Sequence, residues 1–250
     1  MARENIHLKI KRQDNQESRP YWEEFQVPYK PNQNVVGVLM EIRKNPVNIK
    51  GQKVAPVVWE CNCLEEVCGA CTMIINGTPR QSCSALIDKL PDGVITLEPL
   101  SKFPVMRDLL VDRQFMFENL KKVKAWVETD GLFDLGRPPK MNERERAWAY
   151  ELSRCMTCGC CLEACPNVSS KSSFMGAQAL SQVTLFNLHP NGKMNKEVRL
   201  EAVMGKGGIV DCGNSQNCVR VCPKHIPLDK SLAQLNKETT LQGILGWLNK

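Results

Sequence analysis

Cys63, Cys68 and Cys71 stand at the spacing C-x4-C-x2-C, and Cys83 follows further along. Cys155, Cys158, Cys161 and Cys165 run as C-x2-C-x2-C-x3-C with Pro166 directly after, and Cys212, Cys218 and Cys222 form a third group closed by Pro223. Thiols this close together seldom meet disulfide geometry in neighbouring pairs, and their total, thirteen, is odd. Residues 1–11 are charged and alternating, without the apolar core of a signal peptide. A disulfide framework of the exported kind is therefore not expected, and the chain is expected to be made and kept in the cytoplasm. Thiolates are soft ligands that select zinc or iron–sulfur clusters.

The spacings separate these two. The first group has the plant-type ferredoxin pattern of a [2Fe–2S] cluster. Short spacers let successive sulfurs turn inward within one loop, whose backbone N–H groups offset their charge. Gly69 permits close backbone approach there, and Cys83 closes the site after a strand–turn–strand at 72–79. Zinc more often takes two C-x2-C knuckles. Cys61, two positions before Cys63, reads as a spare thiol.

The second group, Cys155-Met-Thr-Cys158-Gly-Cys160-Cys161-Leu-Glu-Ala-Cys165-Pro166, contains the bacterial ferredoxin run, in which three cysteines hold one cluster and the fourth ligates another. The third group is its reciprocal, with Ser215 in the place of the second cysteine. Crossing the two assigns Cys155, Cys158, Cys161 and Cys222 to a [4Fe–4S] cluster. Cys165, Cys212 and Cys218 are left as three thiolates, which suit a [3Fe–4S] cluster. The alternative is a [4Fe–4S] cluster with Ser215 oxygen or water on its last iron, a harder and weaker ligand than thiolate. Cys160 has no place in either set.

The elements that must carry these loops differ along the chain. Apolar and polar residues alternate over 6–11 and 21–29, as in half-buried strands. Asn34 caps a short helix through Val35, Val38, Leu39 and Ile42. Strands are expected at 72–75, ended by the turn pair Asn76-Gly77, and at 94–97. Beyond this the periodicity turns helical: Phe117, Leu120, Val123 and Val127; a helix capped by Asn142 leading to Cys155; one over 174–188; one capped by Asn195; and a last apolar series from Leu228 to Leu248. Residues 131–142 read as a loop. The fold class is α+β: a plant-type ferredoxin (β-grasp) domain over 1–115, then an all-α two-cluster bacterial-ferredoxin-like domain over 116–250. The boundary is expected near 110–125.

This order of motifs, with one cysteine missing from the last, resembles the iron–sulfur subunits of succinate dehydrogenase and fumarate reductase (respiratory complex II). The resemblance covers essentially the whole chain, including Arg43-Lys-Asn-Pro46 and Asn62-Cys-Leu-Glu-Glu-Val-Cys-Gly-Ala-Cys71, and is nearest to the bacillus-like branch. It implies a flavoprotein partner that carries FAD, and a membrane-anchor cytochrome b partner that carries haem b. It also implies a quinone, usually menaquinone, at the anchor interface, and a place on the cytoplasmic face of the cell membrane, held there by the anchor. Many ubiquinone-using members have two tryptophans shortly after the Cys-Pro of the first run; here Pro166 is followed by Asn167, Val168, Ser169 and Ser170. Pro166, Ser170 and Ser215 are the expected quinone neighbours. Some members replace the third [2Fe–2S] cysteine with aspartate, whereas this chain keeps Cys71.

No catalytic residue is expected. The three histidines belong to no triad, and there is no phosphate loop or dinucleotide fingerprint. The net charge of +6 is spread along the chain and reads as a solvated surface, with no nucleic-acid partner. Rival readings are the iron–sulfur subunit of a heterodisulfide- or glycolate-linked oxidoreductase, which two complete four-cysteine runs would favour, and a zinc-binding structural or nucleic-acid protein.

Overall fold

A computed structural model describes residues 4–128 and 140–248. The chain forms two compact units, one ending at Arg113 but also taking Met156–Glu163, the other beginning at Gln114. A division at 115/116 puts Met156–Glu163 in the second domain; in the structure this piece of the bacterial-type run packs with the first.

The first unit is built on a five-stranded sheet of β1 (Asn5–Arg12), β2 (Tyr21–Pro28), β3 (Thr72–Ile75), β4 (Thr78–Gln81) and β5 (Val94–Glu98), in the order β2-β1-β5-β3-β4. β1 runs parallel to β5, and the other neighbours are antiparallel. Alternation sets the register: Leu8 lies opposite Phe25 on one side and Ile95 on the other, so the apolar residues share one face. Helix α1 (Val35–Lys44) covers that face with Val35, Val38, Leu39 and Ile42. Asn34 caps it as expected, accepting from Gly37 N–H at 2.8 Å. At the β3–β4 turn both Asn76 and Gly77 have positive φ (48° and 76°), which suits a type I′ hairpin.

A small hairpin, β6 (Val105–Arg107) and β7 (Leu110–Val111), is too short to leave a period in the sequence. Between its strands, fully buried Asp108 takes two hydrogen bonds from the Arg12 guanidinium at 2.8 and 3.2 Å. Asp108 also accepts from the backbone N–H of Gln13 and Val58. Burial alone would lower the Arg12 pKa, but the hydrogen bond and charge of Asp108, with the charge of Glu23, raise it above its ordinary value. The pair ties the end of β1 to the segment that enters the first cysteine loop.

In the second unit α5 (Gly176–Leu188) is almost wholly buried. It packs against α2 (Gln114–Lys122), α3 (Glu143–Ser153), α6 (Lys196–Met204) and α8 (Leu228–Leu248). Asn142 caps α3 through Glu145 N–H. Asn195 sits at the start of α6 but makes no side-chain cap bond. α2 is shorter than Phe117, Leu120, Val123 and Val127 suggest. It ends in a Schellman turn, with Lys124 at φ 48° and Ala125 N–H bonded to Leu120 C=O. Buried Arg199 holds that turn by donating to the carbonyls of Lys124 and Trp126. The loop expected at 131–142 falls mostly outside the described residues. In α8 the first half packs through Leu228, Leu232 and Leu235, while Leu241, Ile244, Leu245 and Leu248 are exposed.

Replacing Asp108 with alanine leaves the Arg12 charge buried against Glu23 alone. Breaking a buried pair in this way costs about 3 kcal/mol, so Asp108→Ala is expected to lower the denaturation midpoint sharply, as read by thermal or urea unfolding.

Candidate metal centres

The first cysteine loop lies between α1 and β3 and leads directly into β3. Leu64, Glu66 and Gly69 all have positive φ. Alternating hand along a short segment turns successive N–H groups into a concavity that accepts anions, sulfur clusters included. The outcome is visible at sulfur. Cys63 Sγ accepts from the N–H of Glu65 and Val67, and Cys68 Sγ from Ala70, each at 3.4 Å. The Glu65 N–H, then that of Val67, hold the Cys63 thiol down to about 7.

Cys71 and Cys83 are buried together against Val36 of α1. Burial, then the hydrogen bond that the Cys83 thiol makes to Cys71, pushes Cys83 up to about 12, and the charge of Cys63 adds to this. The structure therefore brings all four expected thiols into one neighbourhood, with a half-exposed pair served by N–H donors and a buried pair. Cys61 is exposed. Two residues assist that spacing did not single out. Asn34 Nδ2 donates to Cys83 C=O at 2.8 Å, so the helix cap also positions a thiol. Arg113 donates to the carbonyls of Gly69 and Ala70 at 2.7 and 2.5 Å. Its Nε–H is buried without a partner among the described residues.

Met156–Glu163 lies against this loop within the same unit. A Cβ added to Gly69 would sit 2.8 Å from Cys158 Cα and 2.9 Å from Met156 O. Thr157 and Gly159 repeat the left-handed turns of the first loop. The Cys158 thiol is held down to about 7, first by the Cys160 side chain, and further by the Cys160 N–H and the positive charge of Arg113. A short helix α4 (Cys160–Glu163) follows, and Glu163 anchors it by accepting from Ser101 Oγ at 2.5 Å and Lys102 N–H at 3.1 Å. Cys158 and Cys161 thus belong to the first unit, and Cys155 and Cys222 to the second.

Within the second unit, Cys165, Cys212 and Cys218 line one cavity together with Asn214, Ser215 and Gln216. Asn214 and Gln216 are both left-handed, and a short helix α7 (Asn217–Arg220) follows. Burial pushes Cys218 up to about 11, and the charges of Cys165 and Cys212 add to this while the Val219 N–H opposes it. Asn217 Nδ2 donates to Ala164 C=O, and Asn167 Nδ2 to Asp211 C=O, so the two runs are stitched to each other. Of the three residues expected near a quinone, Ser215 lines this cavity; Pro166 and Ser170 are exposed and are not part of its lining.

Among the described residues, no three His, Cys, Asp or Glu side chains are gathered as donors to a single metal ion. A cluster makes a different demand, for thiols around a shared space with N–H donors aimed at sulfur, and the first loop and the Cys165 cavity meet it. The histidines do other work: His7 pairs with Glu24 and His189 accepts from Gly192 N–H, while His225 is exposed.

Gly69→Ala is expected to separate the Cys71 loop from Met156–Glu163, since its Cβ would strike backbone at a left-handed position. The readout is a fall in bound iron and visible absorbance, with near-wild-type far-ultraviolet circular dichroism.

Comparison with known proteins agrees with this layout. Residues 7–118 match the 2Fe-2S iron-sulfur cluster binding domain, and residues 151–226 match the 4Fe-4S dicluster domain. The succinate dehydrogenase iron-sulfur subunit of Bacillus subtilis is 64% identical over 95% of this chain and 93% of its own length. The fumarate reductase iron-sulfur subunit of Wolinella succinogenes is 31% identical over 88% of this chain and 90% of its own. A chain of the Mycobacterium smegmatis Sdh1 complex in the apo form shares the fold, with a TM-score of 0.81 and 23% identity over 95% of this chain and 96% of that one. With thiol motifs, fold and relatives all in accord, the chain belongs to the family of succinate dehydrogenase and fumarate reductase iron–sulfur subunits.

Proposed function

We propose that this chain carries electrons singly between a flavoprotein, which handles succinate or fumarate on FAD, and a membrane quinone. Its ligand sets are Cys63, Cys68, Cys71 and Cys83 for [2Fe–2S], Cys155, Cys158, Cys161 and Cys222 for [4Fe–4S], and Cys165, Cys212 and Cys218 for [3Fe–4S]. When bound, these clusters supply one-electron carriage, so the pair released at a flavin leaves in two steps. The chain's own residues do the rest. Backbone N–H groups of Glu65, Val67 and Ala70 offset thiolate charge, and Arg113 and Asn34 fix the loop. The dicarboxylate site is on the flavoprotein.

The observation that carries the three-cluster reading is the cavity shared by Cys165, Cys212 and Cys218 with Ser215 beside them. Three thiols suit a cluster with three irons, and the Ser215 hydroxyl is a harder and weaker ligand than the thiolate a fourth iron would take. Pro166, Ser170 and Ser215 are the residues of this chain proposed to lie near the quinone, and of these Ser215 lines the thiol cavity. No helix of the described residues is long and apolar enough to cross a membrane. Attachment to the cytoplasmic face through a cytochrome b anchor bearing haem b, with menaquinone as acceptor, fits that fact and the family. The heterodisulfide- or glycolate-linked and zinc-protein readings give way to the family assignment.

Ser215→Cys supplies the missing fourth thiolate. In the purified complex it is expected to raise iron by about one per chain and abolish the electron paramagnetic resonance signal of an oxidised [3Fe–4S] cluster. An unchanged iron count and signal would mean that Ser215 does not occupy the open ligand position.

A further inference from the structure

Gln81 ends β4 fully buried. It belongs to no expected ligand set, yet both ends of its amide face sulfur. Its Oε1 lies 3.7 Å from Cys71 Sγ and 3.0 Å from Thr72 Oγ1, and its Nε2 lies 3.6 Å from Cys160 Sγ. Cys160, also fully buried, is the thiol that the bacterial-type run leaves without a cluster. Its side chain and its N–H both hydrogen-bond Cys158. The result is a continuous chain, Cys71–Gln81–Cys160–Cys158, from one cysteine loop to the next, within one unit.

Proton counting limits what this chain can do. Cys71 and Cys158 as iron ligands are thiolates and only accept. Gln81 has two protons on Nε2, Cys160 has one on sulfur, and Thr72 has one on its hydroxyl, which lies 2.7 Å from Gly69 C=O. With Nε2 toward Cys160, the Cys160 S–H is free to serve Cys158, but the Gln81 carbonyl then faces the Cys71 thiolate. With the amide turned over, Nε2 donates to Cys71 and to the Thr72 hydroxyl, and Cys160 gives its proton to Oε1. The two orientations have the same shape. The bridge therefore stabilises added negative charge at Cys71 or at Cys158, and not at both together.

Resting on the ligand assignment above, we propose that Gln81 and Cys160 are positioning residues that set the reduction potentials of the [2Fe–2S] and [4Fe–4S] centres against each other through this hydrogen-bond bridge. Hydrogen bonds to cluster sulfur stabilise the reduced form and raise its potential. A donor shared between two neighbouring centres favours an electron on either one and disfavours electrons on both, which suits single-electron traffic.

The test is a redox titration of the assembled complex followed by electron paramagnetic resonance, with iron content measured alongside. Gln81→Leu is expected to move the [2Fe–2S] midpoint to a more negative value. Cys160→Ala is expected to move the [4Fe–4S] midpoint negative, and Cys160→Ser, which keeps a donor, to restore most of that shift, all at wild-type iron content. If Gln81→Leu does not assemble, the Cys160 pair decides alone. Wild-type midpoints in both Gln81→Leu and Cys160→Ala at full iron would overturn the bridge, as would equal shifts in Cys160→Ala and Cys160→Ser. Loss of iron in both Cys160 variants would overturn it too, by making Cys160 a ligand. Absence of the [2Fe–2S] or [4Fe–4S] signal from the wild-type complex would instead strike the ligand assignment.

Discussion

Thiolates gathered around iron concentrate negative charge inside a folded protein, and that charge costs several kcal/mol per ion unless donors meet it. The chain answers in all three loops with the same backbone device. Leu64, Glu66 and Gly69, then Thr157 and Gly159, then Asn214 and Gln216, take the left-handed conformation at short intervals. Each such turn aims N–H groups inward. For residues with a side chain the conformation costs about 1–2 kcal/mol, so it persists only where the surroundings fix it. The N–H groups of Glu65 and Val67 on Cys63, of Ala70 on Cys68 and of Val219 on Cys218 are the return on that strain.

Much of the remaining structure serves to hold these loops still. In the first unit the apolar face of the sheet seats α1, and Val36 of that helix covers Cys71 and Cys83. Arg12 and Asp108 fix the approach to the loop, and Arg113 fixes the carbonyls on its far side. In the second unit α5 and α8 form the base on which the Cys165 and Cys212 runs are stitched by Asn167 and Asn217. A rigid frame suits an electron carrier, because its sites must change charge without changing place.

The legible part of this molecule was its chemistry. Cysteine spacing is set by local loop geometry, so it survives as a pattern, and the alternation in β1 and β2 and the Asn34 and Asn142 caps are equally local. Features that depend on distant partners left no such mark. Met156–Glu163 packs with the first unit because glycine at 69 admits Cys158, a contact made across a long stretch of sequence. Gln81 and Cys160 meet only in three dimensions. α2 stops at Lys122 because a Schellman turn is held by Arg199, although Val123 continues its apolar stripe. Pro166 and Ser170 are expected near a quinone by adjacency along the chain; both are exposed, while Ser215 lines the thiol cavity, a difference that adjacency alone does not reveal.

The proposed electron carriage rests on three clusters of different size held by eleven of the thirteen cysteines. Iron and acid-labile sulfide per chain, with low-temperature electron paramagnetic resonance of the anaerobically purified complex, test it most directly. The expected result is about nine non-haem irons per chain, a [3Fe–4S] signal when oxidised and a [2Fe–2S] signal on reduction. About ten irons with no [3Fe–4S] signal would contradict the three-thiolate site, and zinc without labile sulfide would contradict the electron-transfer account as a whole.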